Sequence, residues 1–175
     1  HEGKIKGVVL YLEHHSVYTL GKNADQNNLL DLQLVDSNVV QTDRGGDVTY
    51  HGPGQLIVYP ILDLNQFKKS ISWYVDVLEQ SIIEYLKQIN IEATTIKGLT
   101  GVWVNDKKIC ALGIRISKWI TMHGFALNFN TDINSYEKII PCGINHFGIT
   151  SIEEENGLSL SIEEQIELLN KYIFE

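Results

Sequence analysis

The chemistry-bearing residues of this chain are two cysteines, the bases near them and one glycine-rich stretch around an arginine. Cys142 stands between Pro141 and Gly143, on backbone that its neighbours keep irregular and exposed. Cys110 follows Ile109 and precedes Ala111-Leu112-Gly113-Ile114, so it reads as a small strand residue packed inside. A thiol attacks only as its thiolate. Its ordinary pKa is about 8.5, and each unit of depression favours ionisation by about 1.4 kcal/mol. The helper for Cys142 can be His146, four residues on, His123, or a lysine of the Lys107-Lys108 pair. Spacing does not choose among them, nor does it separate a nucleophilic Cys142 from a half-buried structural thiol.

The second chemical feature is Arg44-Gly45-Gly46-Asp47-Val48-Thr49-Tyr50-His51-Gly52-Pro53-Gly54-Gln55. It crowds a guanidinium, a phenol and an imidazole, all donors to a carbonyl or an anion, among glycines that let backbone come close to a ligand. Two tight turns flanking a short Val48–Tyr50 strand explain the glycines alone. The polar side chains between them favour the wall of a ligand pocket. His14-His15 with His51 show no metal-ligand spacing, and no metal is expected.

These residues must be carried by a frame. Val8–Leu12 and Ser16–Leu20 are short β-prone runs split by Glu13-His14-His15, and Asn23–Asp31 is polar loop. Leu56–Leu64 contains Pro60, so as a strand it is expected at a sheet edge or with a bulge. Ser70 to Ile89 predicts a helix, with Ile71, Val75, Leu78, Ile82, Tyr85, Leu86 and Ile89 at helical spacing, a serine cap and Asn90 at the stop. Its Trp73, Tyr74 and Tyr85 read as core. Thr100–Val104, Ile109–Ser117 and Trp119–Phe129, joined by Asn105-Asp106 and a turn near Lys118, predict an antiparallel meander. Ser161-Ile162-Glu163-Glu164 is a capping box opening a last helix whose apolar face is Ile162, Ile166, Leu169 and Ile173. No repeat, linker or βαβ alternation appears, so residues 1–175 predict a single α+β domain with a largely antiparallel or mixed sheet flanked by helices.

Composition sets the outer bounds. The 175 residues are 43% hydrophobic and 21% charged, ordinary for a globular domain large enough to bury a core. A net charge of −8 argues against general nucleic-acid binding, and no run of about eighteen apolar residues predicts a membrane span. Charge is uneven: Lys97, Lys107, Lys108, Arg115 and Lys118 cluster in sequence, while the last two dozen residues are acidic. That pattern is either a docking patch for an acidic partner or two solvated faces of opposite sign. Two cysteines make no disulfide scaffold and suit a reducing compartment. The chain opens at His1 with Met122 its one methionine, so it is expected not to be an intact translation product.

Four segments taken together carry a resemblance. Arg44–Gln55, Lys108-Ile109-Cys110-Ala111-Leu112-Gly113, Met122-His123-Gly124-Phe125-Ala126-Leu127-Asn128 and Pro141-Cys142-Gly143 follow in the order seen in the lipoyl(octanoyl) transferase family. The lysine stands thirty-four residues before the second cysteine. The likeness runs from about Val8 to Glu175 and implies that a further N-terminal segment of that family is absent here. It implies the catalytic-domain fold shared with biotin and lipoate ligases, and octanoyl transfer from acyl carrier protein to a lysine of lipoyl domains. Those are the lipoyl domains of 2-oxoacid dehydrogenase acyltransferase subunits and the glycine cleavage H protein. The reaction uses neither ATP nor a cofactor and is the first step of lipoate synthesis on protein. By the same match Cys142 is the nucleophile and Lys108 lowers its pKa, which demotes His146 and His123. Arg44, Gly45, Gly46, Asp47, Val48, Thr49, Tyr50 and His51, with Ala111, Leu112, Gly113, Gly124, Phe125 and Ala126, correspond to its acyl-substrate segments, and Cys110 to no catalytic role. The resemblance further implies a monomer acting in bacterial cytoplasm or in a mitochondrial or plastid lumen. The rivals are an ATP-dependent lipoate–protein ligase and a non-catalytic acyl-carrier-binding module.

Overall fold

The computed structural model describes residues 6–30, 38–140 and 147–173. Cys142, His146 and the side chain of Ile173 lie outside them. In chain order the elements are β1 (Gly7–Leu12), β2 (Val17–Leu20), β3 (Val39–Gln41), β4 (Val48–His51), β5 (Gln55–Leu62), α1 (Ile71–Gln88), β6 (Thr94–Ile96), β7 (Leu99–Val104), β8 (Lys107–Ser117), β9 (Ile120–Asn128), β10 (Gly148–Ile149), α2 (Ile152–Asn156) and α3 (Ile162–Ile173). They build two sheets. The larger runs β1-β5-β9-β8-β7-β6, with β10 added parallel to β8 at Lys107 and Lys108, and the smaller runs β3-β2-β4.

The large sheet is positioned by period-two alternation. Leu56 and Val58 of β5, Phe125 and Leu127 of β9, and Val102 and Val104 of β7 join Leu78, Ile82, Tyr85 and Leu86 of α1 in one apolar core. Ser70 caps α1 by accepting from the Trp73 amide at 3.3 Å, and Asn90 follows with φ 61°. The Ser161 box forms as its sequence predicts: its amide donates to Glu164 at 2.8 Å and its hydroxyl accepts from the Glu164 amide. The meander also forms, β7 and β9 each pairing antiparallel with β8, and both residues of the Lys118-Trp119 turn take positive φ.

Two expectations change. Strand β5 is not an edge: it lies between β1 and β9. Pro60 is accommodated because the β5–β9 ladder stops at Val58↔Phe125, and the Thr121 hydroxyl then takes over, donating to Pro60 O and accepting from Leu62 N at 2.8 Å. The two β-prone runs are separate strands, as read: Val8–Leu12 lies in β1 of the large sheet, and Ser16–Leu20 supplies β2 of the small sheet, which pairs parallel with β3 and antiparallel with β4. The run of basic residues forms no single patch. Lys108 is buried, Arg115 pairs with Asp43, and Lys107 and Lys118 flank opposite ends of the eleven-residue β8. Among the described residues no helix is long and apolar enough to cross a membrane.

Candidate active site

Alternation that buries Phe125 and Leu127 against α1 turns their neighbours Gly124 and Ala126 to the other face of the sheet. There Ala111 pairs with Ala126 and Gly113 with Gly124, directly across the β8–β9 ladder. Ile57 of β5 lies beside Ala126, and Tyr59 is the next residue on the same side of its strand. The loop before β4 and β4 itself close over this floor. The result is a pocket of about 520 Å³, counting its mouth, lined by Arg44, Gly46, Asp47, Val48, Thr49, His51, Ile57, Tyr59, Lys108, Ala111–Gly113 and His123–Ala126.

The small floor residues have two consequences. They leave room above the sheet, and they let the covering loop come close. A Cβ on Gly113 would stand 3.0 Å from Arg44 Cδ of that loop, whereas one on Gly124 would overlap Val58 O of the neighbouring strand β5. Gly45 uses that proximity to donate its amide to Ile114 O at 2.9 Å.

Each polar group has a definite assignment. Arg44, expected as a ligand donor, holds the loop together: its guanidinium donates to Thr19 O, Thr19 Oγ1, Gly45 O and Asp47 O at 2.7 to 3.2 Å. Lys108 is 6% exposed, with Nζ 4.7 Å from the Trp103 ring centroid. The burial of Lys108 and the exposure of Lys107 select the first as the lysine that lines the pocket. Glu79 of α1 lies on the far side, accepting from Gly101 N at 2.8 Å, its pKa raised by burial and eased back by that bond and by Lys108. His51 is buried and donates Nδ1–H to Gln55 Oε1 at 2.8 Å. Burial, opposed by that bond, and the nearby Arg44, His14 and His123 bring its pKa down to about 4, so the ring is neutral near pH 7. His123 sits at φ 58° in β9 and contacts Asp43 through Nε2 at 2.7 Å. The carboxylate favours an imidazolium there, but burial, Arg44 and Arg115 prevail and lower its pKa.

Thus most of the sequence-predicted residues meet at one cavity, and two do not. Tyr50 turns away between Thr49 and His51 into a second core, its ring 5.2 Å from Tyr18 and 5.6 Å from Tyr136 and its hydroxyl against Ser16. Gly45 lies in the loop but does not line the cavity. Cys142 falls outside the described residues. Cys110 is fully buried, and burial drives its pKa far up, which suits an inert packing thiol. His14 stands 5.7 Å from His51, yet its Nε2 is hydrogen-bonded to Tyr59, and no group of three His, Cys, Asp or Glu converges among the described residues. Sequence reasoning missed Ile57 and Tyr59. The signal was present: both alternate with Leu56 and Val58.

The model of the lipoyl protein ligase A/B catalytic domain matches residues 1–174. This chain belongs to that family. An octanoyltransferase of Flavobacterium psychrophilum is 47% identical over 166 residues, spanning 90% of this chain and 72% of the relative. An octanoyltransferase of Cytophaga hutchinsonii is 43% identical over 94% of this chain and 72% of its own length. A chloroplastic octanoyltransferase of Arabidopsis thaliana is also 43% identical, over 93% of this chain and 59% of the relative. In fold, the family member closely follows a lipoate-protein ligase A bound with ATP: TM-score 0.79, 14% identity, 96% of this chain and 71% of that one. The biotin protein ligase of Aquifex aeolicus shares the fold more loosely, at TM-score 0.56 and 20% identity over 89% of this chain and 67% of that one.

Proposed function

We propose that the protein is an ATP-independent octanoyltransferase of protein lipoylation that works through a thioester on Cys142, with Lys108 stabilising the thiolate. Family membership and the octanoyltransferase relatives support the reaction class. The observation that carries the mechanism is the buried Lys108, whose side chain lines the same cavity as the paired small residues of β8 and β9. Residues 1–175 act as one catalytic domain, a monomer that needs no cofactor and works in a bacterial cytoplasm or an organelle lumen.

Octanoyl-acyl carrier protein is the donor. Its acyl chain lies over Ala111, Gly113, Gly124 and Ala126 against Ile57. Each buried methylene contributes about 0.8 kcal/mol, so the eight-carbon tail supplies about 5 kcal/mol of binding. The Cys142 thiolate attacks the thioester carbonyl carbon; the new C–S bond forms as the bond to the carrier's thiol breaks. One thioester replaces another, so this half is nearly balanced. The lysine amine of a lipoyl domain then attacks, an amide forms and the Cys142 thiolate departs beside the Lys108 ammonium. The acceptors are lipoyl domains of 2-oxoacid dehydrogenase acyltransferase subunits and the glycine cleavage H protein.

Intact mass after mixing with octanoyl-acyl carrier protein, with ATP withheld, tests this reading. The wild type gains one octanoyl group and passes it to a lipoyl domain, while Cys142→Ser gains none. Product formed only with ATP would point to a ligase. Donor binding with no adduct and no product would point to a carrier-binding module.

A further inference from the structure

The cavity has a charged end and an aromatic one. Lys108 stands on β8, and the floor crosses β9 at Ala126 to reach its partner Ile57 on β5. Tyr59 is the next residue on that side of β5, one step farther from Lys108 along the strands. Its ring is held by three segments. The hydroxyl shares a hydrogen bond with His14 Nε2 at 3.0 Å, from the link between β1 and β2. The ring meets His123 of β9 edge to face, centroids 6.0 Å apart at 84°. Burial raises the Tyr59 pKa and the Arg44 guanidinium opposes it, so the phenol also lies near the arginine of the covering loop. Tyr59 thus reaches from floor to cover and closes that end. Behind it the register sets Leu10 of β1 directly across from Tyr59, and Val8 across from Ile61. Leu10 and Val8 are each 47% exposed.

We infer that Tyr59 is a specificity-determining residue: its ring is the stop against which the terminal methyl of the acyl chain rests, and it sets the upper limit of chain length near eight carbons. The inference rests on the octanoyl-transfer reading above. The two ends orient the chain. An acyl carbonyl carries partial negative charge that the Lys108 ammonium attracts, while the alkyl tail gains only by leaving water for apolar surface. Length then decides where the tail stops. Adjacent strands lie about 4.8 Å apart, so the crossing from β8 to β5 is about 10 Å. At about 1.2 Å per bond, the advance of an extended backbone, the seven carbon–carbon bonds of an octanoyl group span about 8 Å. A chain with its carbonyl beside Lys108 crosses β9 and brings its methyl onto β5, at Tyr59. Two or four further carbons have no space until the ring is removed; the way then opens toward Leu10 and Ile61.

The test is a competition. Octanoyl- and dodecanoyl-acyl carrier protein are offered together to a limiting lipoyl domain, and the two product masses read the ratio of the two kcat/KM values. Tyr59→Ala should raise the dodecanoyl-to-octanoyl ratio at least about tenfold, since each further methylene taken from water is worth about fourfold. Tyr59→Leu should move the ratio the same way by less, and it carries the test if the alanine variant does not fold. Tyr59→Phe keeps the ring and loses only the bond to His14, so its ratio should stay within about twofold of the wild type. An unchanged ratio on removing the ring, or an equal shift in Tyr59→Phe, overturns the inference. NMR of the wild type needs no variant: octanoate isotope-labelled at its terminal methyl should show a nuclear Overhauser effect to the Tyr59 ring protons, and a methyl that contacts Trp103 or Lys108 instead overturns it. A wild type that forms no product from either donor fails the transfer reading, and the inference falls with it. Product with an unchanged ratio overturns the inference alone.

Discussion

The molecule has two cores of opposite character. Beneath α1, the large sheet buries Leu56, Val58, Val102, Phe125 and Leu127 against Leu78, Ile82 and Leu86, and hydrophobic contact does most of the work. Across the pocket, the small sheet closes on Tyr18, Tyr50 and Tyr136 with Leu20, Leu29, Val48 and Ile139. Here the phenols are tied: Tyr18 donates to Ser135 O at 2.8 Å, Tyr50 hydrogen-bonds Ser16 and Tyr136 donates to Tyr50 O. Apolar packing tolerates small shifts, whereas hydrogen bonds have direction. The first core supplies stability and a flat platform. The second sets the angle at which the wall of His51 and Thr49 meets that platform.

Cutting a cavity into the first core should have the largest effect on stability. Ile82→Ala removes a fully buried side chain of α1 and should cost about 4 kcal/mol in urea unfolding, while molecules still folded retain their transfer rate. A comparable loss of activity per folded molecule would erase the division of labour.

Acid should single out the second region. His51 has a folded pKa of about 4 against an ordinary value of about 6.5, so the unfolded chain takes a proton that the folded one refuses. The stability gained from this site is complete above pH 6.5 and is lost as pH falls toward 4, about 3 kcal/mol over that window. Urea midpoints measured from pH 7 downward should show that slope, and His51→Gln should flatten it. An unchanged slope means that His51 is not buried neutral.

Two tyrosines sharpen the contrast further. Tyr136→Phe strips a partner from Gln55 and should cost about 1 to 2 kcal/mol. Tyr85→Phe, in the first core, removes a buried hydroxyl with no partner among the described residues and should be neutral or slightly stabilising. Thermal melts of the pair decide it; equal costs would mean that both cores treat hydroxyls alike.

The smallest effect concerns Cys110. Packed at 0% exposure, it should stay unmodified by a thiol reagent in native buffer and react only on unfolding, with Cys110→Ala leaving octanoyl transfer unchanged. Native modification at Cys110, read by peptide mass mapping, would show that the first core opens.

Much of this was legible because local periodicity reports on one neighbour at a time. The 3.6-residue repeat of α1, the Ser161 box and the β7–β9 meander follow from contacts close in sequence. Where reading failed, the partner was distant. Helix α2 carries the same cue as α3, Ser151-Ile152-Glu153-Glu154, with Ser151 accepting from Glu154 N at 3.3 Å, but its five residues show no period. Strand β10 is two residues long and exists only because β8 is there to pair with. The basic cluster dissolved for a related reason: a strand spaces its residues about 3.3 Å apart and alternates their faces, so neighbours in sequence need not share a surface.

By itself the sequence determined which residues have the chemistry: a lysine and a cysteine thirty-four positions apart, a glycine-rich arginine segment and two strands of small residues. Residue type and short spacing are properties of the chain alone. Only the tertiary structure decided that Lys108 rather than Lys107 lines the cavity, that Arg44 braces the loop while Tyr50 joins a core, and that Ile57 and Tyr59 complete the wall. It also fixed the tautomer of His51: Asn128 donates Nδ2 to Thr150 O and accepts from Gln55 Nε2, so Gln55 turns Oε1 to the ring and His51 meets it with Nδ1–H.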